Sequence, residues 1–191
     1  KQFFYNWLKV SNLPFSAFEN LQISLTSKAV SGSKEHLVYH PKTIAVGVGC
    51  ERGTDPEELI SLVSNTLKKN KIAPESVAAV VSIDLKSDEP AIHALTEKLV
   101  DNPGESSPAR FFDAAVLEEQ TPKLRNPSKA VFKEVGCHGV AEGAALAAAG
   151  KTGKLVIPKI KSKHATCAVS ESTELIDPQK TGKSQGTLFI V

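Results

Sequence analysis

At 191 residues the chain is sized for one domain with room for an appendage. Its 41% hydrophobic and 23% charged content is that of an ordinary folded protein, and a formal net charge of +2 gives none of the concentrated basic surface that nucleic acid selects. No run of about 18 apolar residues is present to span a membrane. The start KQFFYNWLKV lacks the zones of a signal peptide, and Cys50, Cys137 and Cys167 form an odd, widely spaced set, so a reducing cytoplasm is the expected location.

The first 20 residues hold Phe3, Phe4, Tyr5, Trp7, Leu8, Phe15 and Phe18. That much apolar surface calls for a partner: this domain, a neighbouring domain of the same polypeptide, or a second copy in a homodimer. The absence of Met, even at position 1, and the abrupt start suggest a piece of something longer. LQISLTSKAV (21–30) and LVYH (37–40) read as two strands around the turn SGSKE, with Pro41 ending the second. Residues 1–41 are thus read as a linker or half-domain, and the main fold is expected to start near Lys42.

The stretch TIAVGVGCERGTDPEE (43–58) is the centre of this reading. An apolar, β-branched strand over Thr43 to Val48 runs into a glycine-punctuated loop, where Gly47, Gly49 and Gly53 are expected to let the backbone turn. A helix then starts at Pro56 behind an Asp55 or Thr54 cap, with Glu57 and Glu58 in its first turn and lysines near its end at about Lys69. A strand, a glycine loop and a helix N-terminus form an anion cradle, in which Arg52 would add a forked cation. A plain tight turn with a solvated Arg52 is the alternative.

A fully apolar strand, Val77 to Leu85, follows and ends among Asp84, Lys86, Asp88 and Glu89, before a helix Ala91 to Val100. DNPGESSP (101–108) is loop by composition. A short strand near Phe111, an acidic helix, the Pro-initiated helix NPSKAVFKEVG and the Ala/Gly-rich helix CHGVAEGAALAAAG come next. KLVIPKIKSKHATCAVSES closes as an antiparallel hairpin at the sheet edge. Successive βα units predict a three-layer α/β/α fold around a mixed, mainly parallel sheet, in which the loops after Val48 and Ile83 share one edge.

Three groups are expected on that edge: Cys50, Glu51 and Arg52; Asp84, Lys86 and Glu89; and Glu142 with Lys159, Lys161, Lys163 and His164. Fixed cations beside helix N-termini suit a ligand with many carboxylate arms. The hairpin cations also read as a solvated guard against strand pairing, Glu142 as an exposed side chain, and Cys50 as a small buried hydrophobe. The cysteine spacings do not form a zinc pattern, and neither a Walker loop nor a nucleophile elbow is present.

GVGCERGT, SIDLKSDEP, NPSKAV with GVAEGAAL, and LVIPKIKSKHATCAVS, in this order, resemble the carboxyl-terminal domain of the CbiG/CobE cobalamin-biosynthesis family over Lys42 to about Glu171. The N-terminal residues are similar to the end of the central region that precedes this domain. GTLFIV resembles the first strand of a precorrin methyltransferase, so the resemblance implies a domain over 42–172 and a linker with a truncated methyltransferase start over 173–191. The chemistry it implies is opening of the ring lactone of cobalt-precorrin-5A with release of acetaldehyde; the alternative is a noncatalytic module that binds the corrinoid intermediate and hands it to a fused precorrin-3B methyltransferase. The corrinoid's acetate and propionate arms would meet Arg52, Lys86, Lys159 and Lys161, with Glu89 and His164 beside them. Glu142 and Asp84 would orient water or a proton. No cofactor is expected in the domain itself: cobalt belongs to the substrate, and S-adenosylmethionine to the methyltransferase. Glu51 departs from the neutral or positive residue that an anion-binding loop would favour.

Overall fold

The computed structural model describes residues 22–99 and 109–177. The aromatic N-terminal segment and the GTLFIV strand therefore lie outside the described residues. In chain order the elements are β1 (Gln22–Leu25), β2 (His36–Tyr39), β3 (Ile44–Cys50), α1 (Pro56–Lys69), β4 (Val77–Ile83), α2 (Pro90–Leu99), β5 (Arg110–Phe112), α3 (Ala114–Glu118), α4 (Lys129–Val135), α5 (Val140–Ala149), β6 (Lys154–Lys161) and β7 (Ala165–Glu171). Short 3-10 turns span Pro74–Ser76, Asp84–Lys86 and Thr121–Lys123.

The main sheet has the order β5-β4-β3-β7-β6. β3, β4 and β5 are parallel, with Val46 opposite Val80 and Val81 opposite Arg110. β7 runs antiparallel to β3, and β6 antiparallel to β7. β6 therefore points the same way as β3, and β7 alone is reversed. The carboxyl ends of β3, β4 and β6 thus gather on one edge, where ligands bind in open α/β sheets.

Alternation along β3 divides the core. Ile44, Val46 and Val48 face α1 and α2, meeting Leu59, Val63, Leu67, Ile92 and Leu95, while Ala45 joins Ala144, Ala148 and Leu117 on the face covered by α3 and α5. The result is the expected three-layer arrangement with a C-terminal antiparallel strand pair.

Three local expectations are corrected. β3 continues to Cys50, so Gly47 and Gly49 lie within the strand, and of the loop's glycines only Gly53 takes a positive φ, 71°. Gly47 instead permits close approach: a Cβ there would lie 2.0 Å from the Ala141 carbonyl oxygen and 2.7 Å from the Ala145 nitrogen. β4 ends at Ile83, because Asp84–Lys86 turns away from the sheet. β1 and β2 pair in parallel rather than as a hairpin, with Gln22 opposite His36. The intervening chain crosses over by bonding to the body of the domain, Ala29 N–H to the Lys71 carbonyl and Ala73 N–H to the Ser27 carbonyl.

Candidate functional site

A cleft of about 500 Å³ opens at the carboxyl edge of the sheet. Its floor is the end of β3 and β4 with the start of α5, and its walls are the β6–β7 turn and one side of α4. Lys86, Lys159, Lys161, Lys163 and His164 line it, against only two carboxylate residues, Glu51 and Glu134. A larger hollow of about 640 Å³ beside β1 and β2 contains one lysine, Lys34, and gathers no comparable set of cations. The basic cleft is therefore the site that the chemistry selects.

Carboxylates hold the cleft's loops in place. Glu58, in the first turn of α1, accepts bonds from the Ser162 hydroxyl at 2.5 Å, the His164 amide at 2.7 Å and His164 Nδ1 at 3.0 Å. Those donors, the Ser162 hydroxyl first, hold its carboxyl down at about 2. The β6–β7 turn is thereby fastened to the N-terminal end of α1, where a negative charge is favoured. The cap of α1 is Asp55, whose carboxylate accepts from the Glu57 amide, while Thr54 turns inward to the Glu51 carbonyl.

Glu89 occupies the glycine loop. Its carboxylate is buried and accepts from the Gly53 amide at 3.1 Å, with Arg52 Nη1 3.8 Å from its other oxygen. The anion in this cradle is thus the protein's own side chain. Arg52 is paired with Asp88 and donates to the Leu85 carbonyl at 2.6 Å, so its guanidinium joins the loop after β3 to the loop after β4. Arg52 and Lys86 lie on the same edge of the sheet, yet only Lys86 faces the cleft.

Glu142 is buried rather than exposed, at 1% accessibility. It accepts from the amides of Arg125 at 2.7 Å, Asn126 at 3.1 Å and Lys159 at 2.8 Å, and from the Asn126 side chain at 2.8 Å. Burial opposes its charge, but the Asn126 side chain and the three amides outweigh it and hold the carboxyl below the ordinary range. With four donors in place, Glu142 ties the loop before α4 to β6 and is not free to orient water. Asp84 is exposed, and its carboxylate accepts from the adjacent Leu85 amide within the turn. Glu118 makes a further clamp, accepting from the His138 amide, His138 Nδ1 and the Thr121 hydroxyl.

The cations differ in their surroundings. Burial and the neighbouring Lys161 lower the Lys159 pKa, while its Nζ donates to the Asn126 carbonyl at 3.1 Å. Cys50 is half-buried and its thiol is raised, by burial first and then by Glu89, which disfavours the thiolate a nucleophile needs. Among the described residues no cluster of His, Cys, Asp and Glu is arranged to hold a metal ion, and no helix is long and apolar enough to cross a membrane.

Sequence reasoning thus brought Lys86, Lys159, Lys161 and His164 to one cleft, while Arg52, Glu89, Glu142 and Asp84 lie around it as loop ties and caps. It missed Glu58, legible only as a favourable helix-start acid, and the Glu118–His138 pair, which no spacing signals.

The family model described as the C-terminus of cobalamin synthesis protein G matches residues 44–170. The chain belongs to this CbiG C-terminal family. Protein CobE from Sinorhizobium sp is 44% identical over 127 residues, which cover 66% of this chain and 79% of that protein. Cobalt-precorrin-5A hydrolase from Priestia megaterium is 32% identical over 134 residues, 70% of this chain but only 33% of the hydrolase. The crystal structure of CobE, a protein from the cobalamin pathway, superposes with a TM-score of 0.58 at 32% identity, covering 69% of this chain and 91% of that one. A cobalamin biosynthesis protein from Agrobacterium tumefaciens str. C58, with a TM-score of 0.50 at 23% identity, shares the fold. The matched segment of the CbiG family runs from β3 to all but the last residue of β7, and so includes every strand end that forms the basic cleft.

Proposed function

We propose that the basic cleft binds the acetate and propionate arms of a cobalt-corrinoid intermediate, and that the chain is part of a cobalt-precorrin-5A hydrolase, which opens the ring lactone and releases acetaldehyde in the anaerobic route to cobalamin. One observation carries this reading. Four lysines line one cleft against two carboxylate residues, Glu51 and Glu134, while Glu58, Glu89 and Glu142 around it are engaged by backbone amides and neighbouring side chains. The cleft thus keeps a surplus of cations that its own carboxylates do not neutralise. Carboxylate arms spread around a macrocycle match several ammonium groups spread around a rim, each able to make a charge-assisted hydrogen bond. Lys86, Lys161 and Lys163 are the contacts for the arms, and Lys159, whose pKa is lowered by burial and by Lys161, gains an anionic partner when an arm enters.

Titration of a stable cobalt-corrinoid polycarboxylate into the parent and into Lys86→Ala, Lys159→Ala, Lys161→Ala and Lys163→Ala tests the proposal. Each variant should lose about 1 to 3 kcal/mol of binding, roughly fivefold or more in affinity, while melting close to the parent. Equal affinities across the set, or losses that follow melting temperature, would reject the cleft as the corrinoid site.

A further inference from the structure

His164 differs from the lysines beside it in having a carboxylate bound to one ring nitrogen. Glu58 Oε2 lies 3.0 Å from Nδ1, and Glu58 Oε1 receives the His164 amide at 2.7 Å. The ring is 38% exposed and lines the cleft, and among the described residues no protein group bonds to Nε2. A carboxylate on Nδ1 selects the neutral tautomer with the proton on that nitrogen and leaves the Nε2 lone pair free. The second pair of this kind, His138 with Glu118, does not share the arrangement: its ring is stacked on Phe132 at 4.5 Å between centroids, and His138 does not line the cleft.

We infer that Glu58 is a positioning residue that holds His164 with Nε2 presented to the cleft, where it serves as the proton acceptor for a water that attacks an ester carbonyl of the bound ligand. The inference rests on the corrinoid-binding reading and names the group that acts within it. In the step, the water oxygen forms a bond to the lactone carbonyl carbon while one water proton passes to Nε2. The carbon–oxygen bond of the lactone then breaks, and the imidazolium returns that proton to the departing alkoxide. The charged groups around the ring favour transient imidazolium formation from one side and oppose it from the other. Glu58 on α1 and Glu51 on the loop after β3 are negative. Lys161 and Lys163 on the hairpin, Lys86 after β4 and Lys159 across the cleft are positive, and Glu134 is on the α4 wall.

Three variants of the full chain, with the parent, separate this role from a structural one. His164→Asn removes the base, Glu58→Gln removes the charged partner of Nδ1, and His138→Asn removes the ring of the other carboxylate-bound histidine, which does not line the cleft. The measurements are corrinoid affinity by titration, lactone opening followed as acetaldehyde from cobalt-precorrin-5A across pH 5 to 9, and the tautomer of His164 from its ring nitrogen resonances. His164→Asn should bind within about threefold of the parent yet open the lactone roughly a hundredfold more slowly, the usual scale of general base catalysis. Glu58→Gln should lose about tenfold in rate, with the acidic limb of the profile displaced and the tautomer mixture shifted toward Nε2–H. His138→Asn should follow the parent in rate and in the tautomer of His164. A His164→Asn rate within threefold of the parent, a loss of binding equal to its loss of rate, or a parent that binds the corrinoid without opening it overturns the inference while leaving the cleft as a binding site. A parent that does not bind the corrinoid removes the binding reading itself, and the inference with it.

Discussion

On one face of the sheet, α1 and α2 meet β3 and β4 through Leu59, Val63, Leu67, Ile92 and Leu95. On the other face α5 meets the same strands through Ala144, Ala145 and Ala148, with Gly47 directly beneath Ala141 and Ala145. Branched side chains set the spacing of the first interface, and they can rotate or slide when a neighbour changes. Backbone atoms set the spacing of the second, and they have no such freedom. The difference bears on function, because α5 brings Glu142 beneath the cleft, where it clamps both β6 and the loop before α4. The tightly packed face is therefore the one that fixes the position of the Lys159 backbone, while the aliphatic face supplies most of the large buried side chains.

The comparison breaks first at Gly47. Gly47→Ala adds one methyl group 2.0 Å from a helix carbonyl oxygen, so α5 must shift, and stability should fall by more than about 3 kcal/mol in chemical denaturation. A cost below about 1 kcal/mol would show that the Ala-rich interface is as adaptable as the aliphatic one. Glu142→Gln comes next. The substitution places an amide donor among four donors that need acceptors, and a destabilisation of about 2 to 3 kcal/mol is expected, with Lys159 and Asn126 amide resonances displaced. Unchanged resonances would mean that Glu142 does not hold these loops. On the aliphatic face, Ile92→Val removes a methylene from a fully buried side chain and should cost only about 1 kcal/mol, so that one carbon removed there matters less than one carbon added over Gly47.

The smallest expected effect is pH-dependent. The Glu58 carboxyl is lowered in the folded protein from 4.5 to about 2, so its contribution is complete above about pH 4.5 and is lost as pH falls through about 2. Glu58 is on the surface side of its turn, where solvent screens the interaction, so the change should be local. The His164 amide resonance should follow this titration, and in Glu58→Gln it should be flat over the same range. A His164 amide that titrates identically in both proteins would remove Glu58 as its acceptor.

Much of the framework was legible along the chain because it depends on local chemistry. The 14-residue α1 was marked by Asp55, Pro56 and the closing lysines, the fully buried β4 by an unbroken apolar run, and the hairpin by two β-branched stretches around a lysine-rich turn. The same patterning placed the ends of β3, β4 and β6 on one edge, which brought Lys86, Lys159, Lys161 and His164 into one cleft. The glycines of β3 were misread as turn residues, because a glycine that admits a helix backbone looks identical in sequence to one that reverses the chain. The parallel pairing of β1 and β2 also escaped, since it is imposed by bonds from residues 27–29 to the connection between α1 and β4.

By itself the sequence determined the helices, the strands, the alternation of layers and the identity of the cations at the sheet's carboxyl edge, because propensity, capping and periodicity act over a few residues. Only the tertiary structure decided which charges at that edge are free. Glu58, Glu89 and Glu142 find their donors at His164, Gly53 and Lys159, and Arg52 finds Asp88 and Leu85, through contacts between segments 17 to 106 residues apart. The pairing of a charge depends on distance in space, and that distance exists only once the strands have been ordered in the sheet.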